Sequence, residues 1–576
     1  MNNGAKSEQP RLNQLGQLCL LWLIACSANA ATAPADHIFL GDHIITMAAA
    51  ATAAEDEPTA LAIRGDRIVW TGKRADHGSW LGADTELHEL GDRALLPGFI
   101  DAHGHLTYLA ATLKWANLAS PPVGQVVDMN TLQSTLADYI DEQEIPPGTW
   151  VIGNGYDDSL LKEQRHPDRD DLDAVSSQHP IALIHVSGHL TAVNSAALRT
   201  VNIDAETVDP AGGHIRRRPG SSEPNGVLEE TATYPIRAVI QQPSGNPIAD
   251  IETALNVYAS NGITTAQDGA IGAAAAELLS VMDRDQLLTL DVVIYPIVGS
   301  PAQDVRLDYR FSHYQNRLKV GGVKLLLDGS PQGKTAYLSA PYAVPPPGQD
   351  QDYLGYPTHT AAAVDAMVDH YLSHNIPVIA HANGDAAAQM LIDAVAAAGA
   401  TEPLADHRTV MIHAQTVRED QLDQMAGLGI VPSYFSAHTY YWGDWHRDSV
   451  LGVQRAERIS PTRSSLERGM HFTVHNDTPI VPPDMLRLLW ATTNRLTRSG
   501  QVLGAKQRLN SYEALVAITR DAAYQYFEED RKGTLAAGKL ADLVVLSGNP
   551  LAIDSTRLLE LNVLETWSHG TRVFER

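Results

Sequence analysis

The run Leu96-Pro97-Gly98-Phe99-Ile100-Asp101-Ala102-His103-Gly104-His105 decides the fold of this chain. A Pro-Gly turn leads into an apolar strand that ends in two histidines, two positions apart. Because side chains at i and i+2 of a strand point to the same side, His103 and His105 present two imidazoles to one point. Imidazole nitrogen is a common ligand of Zn²⁺. The run therefore predicts a metal site, although alternate histidines also occur on solvated strands.

Length and composition limit the class of protein. At 576 residues the chain exceeds one ordinary core, but a single barrel with insertions reaches this size. A hydrophobic content of 44% and a charged content of 19% are typical of a folded globular protein. The formal net charge of −26 argues against nucleic acid and anionic membranes as partners, because phosphate groups repel an acidic protein. We expect a small-molecule substrate. The composition allows either a monomer or a homodimer.

Residues 1–30 predict an export signal of the Sec type. Lys6 and Arg11 supply a basic region, Leu18 to Ala25 an apolar core, and Ala28-Asn29-Ala30 a small-residue cleavage site. The apolar run is too short to span a bilayer as a helix. A buried N-terminal helix is the alternative. We expect a periplasmic or secreted protein.

The two cysteines, Cys19 and Cys26, both lie inside this segment. The mature chain then has no disulfide and no thiolate ligand, so a metal must be held by histidine, carboxylate or a modified lysine. The run Leu23-Ile24-Ala25-Cys26 also resembles a bacterial lipobox. A lipid anchor at Cys26 is therefore the alternative to simple secretion.

Short β-rich runs occur near both ends of the chain. Such runs, separated by Gly-Asp turns, are typical of a small antiparallel sheet. They lie at residues 38–40, 44–46 and 68–70, and again at 542–546, 563–567 and 571–574. We predict that residues 31–95 and 531–576 build one β-sandwich together.

Between these ends, residues 96–530 predict an α/β fold, a (β/α)8 TIM-like barrel. Apolar β-branched runs alternate with Ala- and Leu-rich stretches, which is typical of βα units around a parallel sheet. Eight runs qualify as barrel strands: the one into His103, then 262–268, 290–298, 322–328, 377–381, 409–413, 429–434 and 471–475. Residues from about 108 to 248 fit no βα spacing and are predicted to be an insertion domain after the first strand. Such an insertion lies over the catalytic mouth of a barrel.

Metal-binding side chains fall at the ends of particular predicted strands. They are His103 and His105 on the first, Lys324 within the fourth, His381 on the fifth, His413 on the sixth and Asp477 just after the eighth. Considered one at a time, His381 and His413 are more typical of hydrogen-bonded core histidines. Asp477 on its own could instead cap a helix. A buried Lys324 must be paired, neutral or modified, with a salt bridge to Asp328 as one alternative. Their joint placement favours a metal site.

This order resembles the binuclear members of the amidohydrolase superfamily, in which a first metal motif Asp-x-His-x-His follows a Pro-Gly turn. The resemblance covers nearly all of the mature chain, including residues 533–542, which look like the family's return into its β-sandwich. It implies that His103, His105 and Asp477 hold one divalent metal, that His381 and His413 hold another, and that a carboxylated Lys324 bridges both. Some relatives have a glutamate at the position of Lys324, and some bind only one metal. We therefore expect one or two divalent ions, with Zn²⁺ as the favoured metal.

Within the superfamily, the chain resembles the YtcJ-like branch (amidohydrolase family 3), which includes an N-substituted formamide deformylase. The resemblance is carried by the phrases at residues 153–157, 187–189, 194–198, 226–230 and 328–336. Tyr156 and His189, from the insertion, are candidate substrate contacts, or they stabilise the insertion itself. His438 opens an aromatic-rich loop, residues 438–446, that lines a substrate pocket or forms a packed lid or subunit contact.

We therefore expect an exported hydrolase of a C–N bond, amide-type and not peptide, such as an N-acyl or N-formyl compound. Metal-bound water becomes acidic, and Asp477 accepts its proton as general base and returns it to the leaving amine. One alternative is a deaminase of the same superfamily, which generally uses one metal and lacks a lysine such as Lys324. The other is a non-catalytic exported regulatory or binding protein on the same fold, which would need no base at Asp477.

Overall fold

The structure is a computed structural model that describes Met1 and residues 33–48, 57–240, 245–300, 313–401 and 404–576. The predicted export signal beyond Met1 lies outside these residues, and so does Cys26. Over the described ranges, no helix is both long enough and apolar enough to cross a bilayer.

Strands and helices alternate along most of the chain, so the expected mixed α/β content is confirmed. The strands are β1 (His37–Gly41), β2 (Ala60–Arg64), β3 (Arg67–Gly72), β4 (Glu86–Gly91), β5 (Ala94–Pro97), β6 (Phe99–Ile100), β7 (Ala116–Asn117), β8 (Val151–Tyr156), β9 (Ile181–His185), β10 (Leu190–Val193), β11 (Gly213–Arg217), β12 (Pro224–Glu230), β13 (Ile263–Ile271), β14 (Asp291–Pro296), β15 (Leu318–Val320), β16 (Val323–Leu326), β17 (Val378–Ala382), β18 (Val410–His413), β19 (Val431–Tyr434), β20 (Thr473–Val474), β21 (Leu543–Leu546), β22 (Val563–Ser568) and β23 (Thr571–Glu575). The helices are α1 (Leu106–Thr112), α2 (Met129–Glu142), α3 (Arg169–Val175), α4 (Ser195–Thr200), α5 (Tyr234–Ile240), α6 (Pro247–Ser260), α7 (Ala273–Arg284), α8 (Ala361–Ser373), α9 (Asp385–Thr401), α10 (Glu419–Leu428), α11 (His438–Tyr441), α12 (Gly443–Trp445), α13 (Val453–Ala456), α14 (Thr462–Glu467), α15 (Met485–Asn494), α16 (Ser511–Ile518) and α17 (Arg520–Gln525).

The two ends of the chain pack together as two four-stranded sheets. One has the order β3-β2-β1-β4 and the other β23-β22-β21-β5. In the second sheet β5 pairs antiparallel with β21, with Leu96 opposite Val544, so a strand from near residue 95 is hydrogen-bonded to one from the C-terminus. Phe39 and Leu61 of the first sheet share an apolar cluster with Leu543 of the second. The exact domain boundaries stay a prediction.

Two parallel sheets form the centre of the molecule. Their strand orders are β15-β14-β13-β6 and β16-β17-β18-β19-β20, and every neighbouring pair within them is parallel. The strands are buried almost throughout, as expected when helices cover parallel strands. All eight predicted runs contain a strand of these sheets.

The position of the fourth strand is occupied by two short strands, β15 and β16, which are separated by Gly321 and Gly322. β15 pairs with β14 on one side, whereas β16 pairs with β17 on the other. A Cβ atom on Gly321 would lie 2.4 Å from the ring of Tyr295, and one on Gly322 would lie 2.1 Å from the carbonyl oxygen of Pro377. The two neighbouring strands therefore pack closely against the backbone at this joint. The short β15 was missed from the sequence, which placed this strand at residues 322–328.

Backbone hydrogen bonds connect the two parallel sheets at both of their edges. The Val298 amide donates to the Lys324 carbonyl at 3.0 Å on one side. On the other, the Asp477 amide donates to the His103 carbonyl at 3.2 Å, and the His105 amide donates to the Thr478 carbonyl at 2.7 Å. The strand ends that carry the predicted ligands are thus held side by side. Closure into an eight-stranded barrel stays a prediction.

The predicted insertion contains a sheet of its own, with the order β11-β12-β10-β9-β8-β7. Leu118, Leu132 and Leu183 belong to an apolar cluster on one side of it, and Ile184 and Ile236 belong to a second cluster. Side chains from β9, β12 and α5 reach a cavity shared with the ends of the parallel strands. The insertion therefore forms part of the wall around the predicted metal ligands.

Candidate metal centre

The six predicted ligands meet at the carboxyl ends of the parallel strands. His103 and His105 follow β6, Lys324 lies in β16, His381 in β17, His413 ends β18 and Asp477 follows β20. All are buried except His105, which is partly exposed. All six also line one cavity. Residues up to 374 positions apart in the sequence therefore share one small volume, because parallel strands end on the same side of a sheet.

Asp477 lies between histidines from different strands. Its Oδ1 is 3.4 Å from His103 Nε2 and 3.2 Å from His105 Nε2, and its Oδ2 is 4.0 Å from His413 Nε2. Burial alone would raise the pKa of Asp477, but His413 and the other histidines hold it well below its usual range. The carboxylate is therefore ionised at neutral pH. The helix-cap alternative is wrong, because Asp484 is the N-cap of α15.

His381 and His413 form the second half of the centre. His381 Nδ1 lies 2.9 Å from His413 Nε2, while His381 Nε2 donates a hydrogen bond to the Gly329 carbonyl at 3.0 Å. That hydrogen bond leaves His381 Nδ1 as the nitrogen that faces His413. The other nitrogen of His413, Nδ1, is buried and has no hydrogen-bond partner among the described residues.

Lys324 points into the same cluster. Its Nζ lies 3.2 Å from His103 Nε2, and burial lowers the pKa of the amine to about 7 although Asp477 opposes the shift. The alternative of a salt bridge to Asp328 is wrong. Asp328 instead accepts hydrogen bonds from the backbone amides of Tyr337, Asn383 and Gly384. An amine that is partly neutral near pH 7 can react with CO₂, as the predicted carboxylation requires.

These residues fit a divalent metal. Burial lowers the pKa of His103, His381 and His413 well below the usual value, so the rings are neutral, the form in which imidazole binds metals. One ligand atom each of His103, His413 and Asp477 lies within 4.8 Å of the others. Two of these residues also have left-handed backbones, with φ of 72° at His413 and 55° at Asp477, a conformation that costs free energy and is concentrated at functional sites.

One supporting residue was missed from the sequence. Gln267, on β13, accepts a hydrogen bond from His103 Nδ1 at 2.5 Å, and its amide nitrogen donates to the Ala102 carbonyl at 3.0 Å and to the Tyr526 hydroxyl at 2.7 Å. This bond leaves Nε2 of His103 to face the cluster, and such partners orient metal-binding histidines. The sequence feature that could have pointed to Gln267 is its position near the end of the second predicted strand, residues 262–268.

The cavity at the centre has a volume of about 520 Å³. Apart from the six candidate ligands, much of its wall is apolar and comes from the insertion, from α7 and from the neighbouring loops. Examples are Trp115, Ile184, Ile240, Ile271 and Ile480. Small-molecule sites typically combine such walls with a few polar groups that fix orientation.

The structure brings one of the three predicted substrate contacts into this cavity. His189 lines it, with its ring centroid 4.9 Å from that of His381. Tyr156 is fully buried within the insertion, where its hydroxyl pairs with His166 Nδ1 at 3.2 Å. His438 is buried against Phe435, with ring centroids 4.2 Å apart. Neither Tyr156 nor His438 is among the residues that line the cavity.

The aromatic-rich loop, residues 438–446, also packs away from the cavity. Trp442 Nε1 donates a hydrogen bond to Asp157 Oδ2 of the insertion at 2.7 Å, and Trp445 Nε1 donates to the Gln332 carbonyl at 3.1 Å. Within the described chain the loop therefore ties the insertion to the strand ends. This geometry favours the packed-lid alternative over a substrate pocket.

Comparison with known proteins identifies the family of this chain. Residues 86–574 match the family described as the amidohydrolase family. The chain belongs to that family. This amidohydrolase is 28% identical over 539 residues to the N-substituted formamide deformylase of Arthrobacter pascens, an alignment that covers 90% of this chain and 95% of the relative. It is 25% identical over 509 residues to YtcJ of Bacillus subtilis, with coverage of 86% and 91%.

A solved structure has the same fold. It is an uncharacterised metal-dependent hydrolase from Pyrococcus furiosus, which aligns with a TM-score of 0.67 and 23% identity over 89% of this chain and 99% of the other. The resemblance expected from the sequence, to the YtcJ-like amidohydrolases, is thus confirmed.

Proposed function

We propose that this amidohydrolase hydrolyses an amide-type C–N bond, with N-acyl or N-formyl amines as the substrate class. The convergence of four imidazoles, one ionised carboxylate and one buried lysine on a single cavity carries the proposal. The similarity to an N-substituted formamide deformylase supports it. Lys324 favours amide hydrolysis over deamination, as the superfamily pattern implies.

His103, His105 and Asp477 would hold one divalent cation, His381 and His413 a second, and a carboxylated Lys324 would contact both. When bound, such ions lower the pKa of a water from about 16 towards about 7 and polarise a carbonyl. Zn²⁺ suits this set of nitrogen and oxygen ligands.

The residues of the chain itself supply the remaining chemistry. Ionised Asp477 accepts a proton from the attacking water while the water oxygen bonds to the carbonyl carbon. The C–N bond then breaks, and Asp477 returns the proton to the nitrogen of the leaving amine. The products are a carboxylic acid and an amine. The apolar wall around Trp115 and Ile240 accommodates the substituent on nitrogen and excludes bulk water.

The test combines metal analysis with a panel of substrates. Purified protein is analysed for Zn²⁺ and other divalent ions, stripped with a chelator, reloaded, and assayed on N-substituted formamides, acetamides, ureas and amidines. We expect one or two ions per chain and metal-dependent release of amine from formamides or other N-acyl amines. Asp477→Asn should lose at least about 100-fold in kcat, since it removes the base. Turnover that survives complete metal removal would refute the proposal.

We also propose that the protein is exported. The signal-like segment at residues 1–30 supports this, with processing after Ala30 for a secreted protein or at Cys26 for a lipoprotein. Mass spectrometry of the mature N-terminus in the native host distinguishes the two. An intact Met1 on the mature protein would contradict export by either route.

A further inference from the structure

His189 differs from the other residues of the cavity wall because a carboxylate fixes one of its ring nitrogens. His189 Nδ1 lies 2.8 Å from Glu230 Oε2, and the Glu230 side chain is only 2% exposed. A carboxylate oxygen accepts hydrogen bonds, so Nδ1 is the donor of this pair. In the neutral ring, Nε2 is then an acceptor. No described residue forms a hydrogen bond with Nε2, and the ring lines the cavity beside His381.

The backbone around Glu230 is distorted to place this carboxylate. Glu230 has φ of 49° and ψ of −120°, a conformation that non-glycine residues rarely adopt. Its amide donates to the His189 carbonyl at 2.9 Å, and its own carbonyl accepts from Thr233 Oγ1 at 2.6 Å. Such strain persists only where the surroundings enforce it and is concentrated at functional sites. The distortion therefore serves the His189–Glu230 pair.

The pair is packed directly against the candidate metal centre. A Cβ atom on Gly329 would lie 2.2 Å from Glu230 Oε1, so the carboxylate packs directly against this glycine. The carbonyl of the same Gly329 accepts the hydrogen bond from His381 Nε2. On the other side, Arg237 donates to the Gly188 carbonyl and braces the turn that carries His189. The imidazole is thus held in one orientation next to a predicted ligand.

We propose that His189 Nε2 accepts a hydrogen bond from the N–H of the scissile amide, so that the enzyme selects N-monosubstituted amides over N,N-disubstituted ones. This inference rests on the proposed function and adds the substrate class. A disubstituted nitrogen has no hydrogen to donate, so Nε2 loses its hydrogen-bond partner when such a substrate fills the cavity. His189 contacts the substrate, whereas Glu230 is a positioning residue that fixes which nitrogen accepts.

Two substrates and three variants test the proposal. The substrates are N-(2-phenylethyl)formamide and its N-methyl derivative, compared by kcat/KM. We expect the wild type to prefer the first by about 10- to 100-fold, the loss that follows from leaving one buried polar group unpaired. His189→Asn keeps a donor for Glu230, but its acceptor Oδ1 lies on a shorter side chain and does not reach the position of Nε2. His189→Phe keeps the ring volume without the acceptor. Both should reduce the preference to within about threefold.

Glu230→Gln separates positioning from mere support of the fold. A glutamine can either accept from or donate to His189 Nδ1, so the ring is no longer held as an acceptor at Nε2. The preference should fall while the metal content stays at the wild-type value. A preference that persists in His189→Phe would mean that crowding by the methyl group excludes the derivative, and it would overturn the proposal. An equal loss of kcat on both substrates in His189→Asn would overturn it as well.

Binding measurements keep this inference separate from the proposed function. Asp477→Asn protein, whose turnover is expected to be at least about 100-fold slower, is titrated calorimetrically with both formamides, with and without the added His189→Phe change. A binding preference that the second change removes supports the contact even if the wild type hydrolyses no formamide. Equal binding of both compounds to the Asp477→Asn protein would overturn the contact even if hydrolysis is observed.

Discussion

The chemical state of Lys324 determines how many metal ions the centre can hold. Its amine is buried 3.2 Å from His103 Nε2, and burial lowers its pKa to about 7. An ammonium at this point would repel cations, whereas a carboxylated amine adds an anionic oxygen ligand. As an ammonium, Lys324 therefore hinders metal binding, whereas in its carboxylated form it supplies a metal ligand.

Lys324→Ala should remove at least one metal ion per chain and lower kcat by about 100-fold or more, because the proposed bridging ligand is lost. Elemental analysis and steady-state kinetics measure the two effects. Propionate added to the variant should restore part of both, since a small carboxylate can occupy the vacated space. Lys506→Met, a change at an exposed lysine, is the control and should alter neither. Full metal content and activity in Lys324→Ala would exclude the bridge.

At the scale of single elements, the joint between β15 and β16 has a close backbone contact near the site. A Cβ atom on Gly322 would lie 2.1 Å from the Pro377 carbonyl oxygen, a backbone atom that cannot rotate away. Lys324 is only two residues further along. The geometry of this joint therefore sets where the lysine enters the cavity.

Gly322→Ala should destabilise the protein by about 1–3 kcal/mol, the usual cost of forcing extra atoms into a packed interior. The shift of the urea midpoint gives this value. Gly78→Ala is the matched control, since an added Cβ there meets no atom within 4 Å. If the two variants had the same midpoint, the strands would be less tightly packed at this joint than the structure indicates.

The elements and the site were predictable from the sequence to different extents. Each predicted barrel run contains a strand, because a buried parallel strand is a continuous apolar run bounded by turns. β15 was missed because three residues and a Gly-Gly break give no such run. The strand-end ligands were predictable because side-chain direction alternates along a strand.

Other residues at the site depend on contacts that no local pattern encodes. Glu230 meets His189 across 41 positions of sequence, and Gln267 meets His103 across 164. The same limit explains Tyr156 and His438. Their sequence context pointed to function, but the packing of the insertion and of the aromatic-rich loop buries them outside the cavity wall.

At the scale of the whole molecule, a buried ion network joins the parallel sheets to the C-terminal segment. Lys532 Nζ lies 2.6 Å from Asp291 Oδ2 and 2.8 Å from Glu528 Oε2, and Glu528 Oε1 lies 2.7 Å from Lys319 Nζ. These four side chains are at most 3% exposed. The network therefore fixes residues 528–532 against β14 and β15.

Lys532→Met should lower the free energy of unfolding by about 3–5 kcal/mol, because it leaves Asp291 and Glu528 buried with fewer positive partners. The urea midpoint measures the change. Arg557→Met breaks an exposed ion pair with Glu560 and should leave the midpoint unchanged. A small effect of Lys532→Met would mean that water reaches the network.

The same network should make the protein sensitive to acid. Burial alone would raise the pKa of Asp291 and Glu528, but the ammonium of Lys532 and its neighbours hold both below their usual values. Their contribution to stability is complete above the unfolded pKa of about 4 and is lost as the pH falls towards the lower folded values. Asp542, whose pKa burial raises, opposes this trend.

Unfolding free energy should therefore fall between about pH 5 and pH 3, with a shallower slope in Glu528→Gln than in the wild type. Urea titrations at several pH values measure both slopes. Identical slopes in the two proteins would show that Glu528 binds protons equally in the folded and unfolded states.

The pairing of β5 with β21 has a consequence for the order of assembly. β5 precedes its hydrogen-bonding partner, which begins at Leu543, by most of the described chain, so a growing polypeptide cannot complete this sheet until β21 has been made. A chain that lacks β21 exposes the unpaired, apolar edge of β5. Such an edge can pair with another chain and promote aggregation. For this molecule, a truncation that removes residues from Leu543 onward is therefore expected to cause aggregation rather than the loss of a dispensable tail.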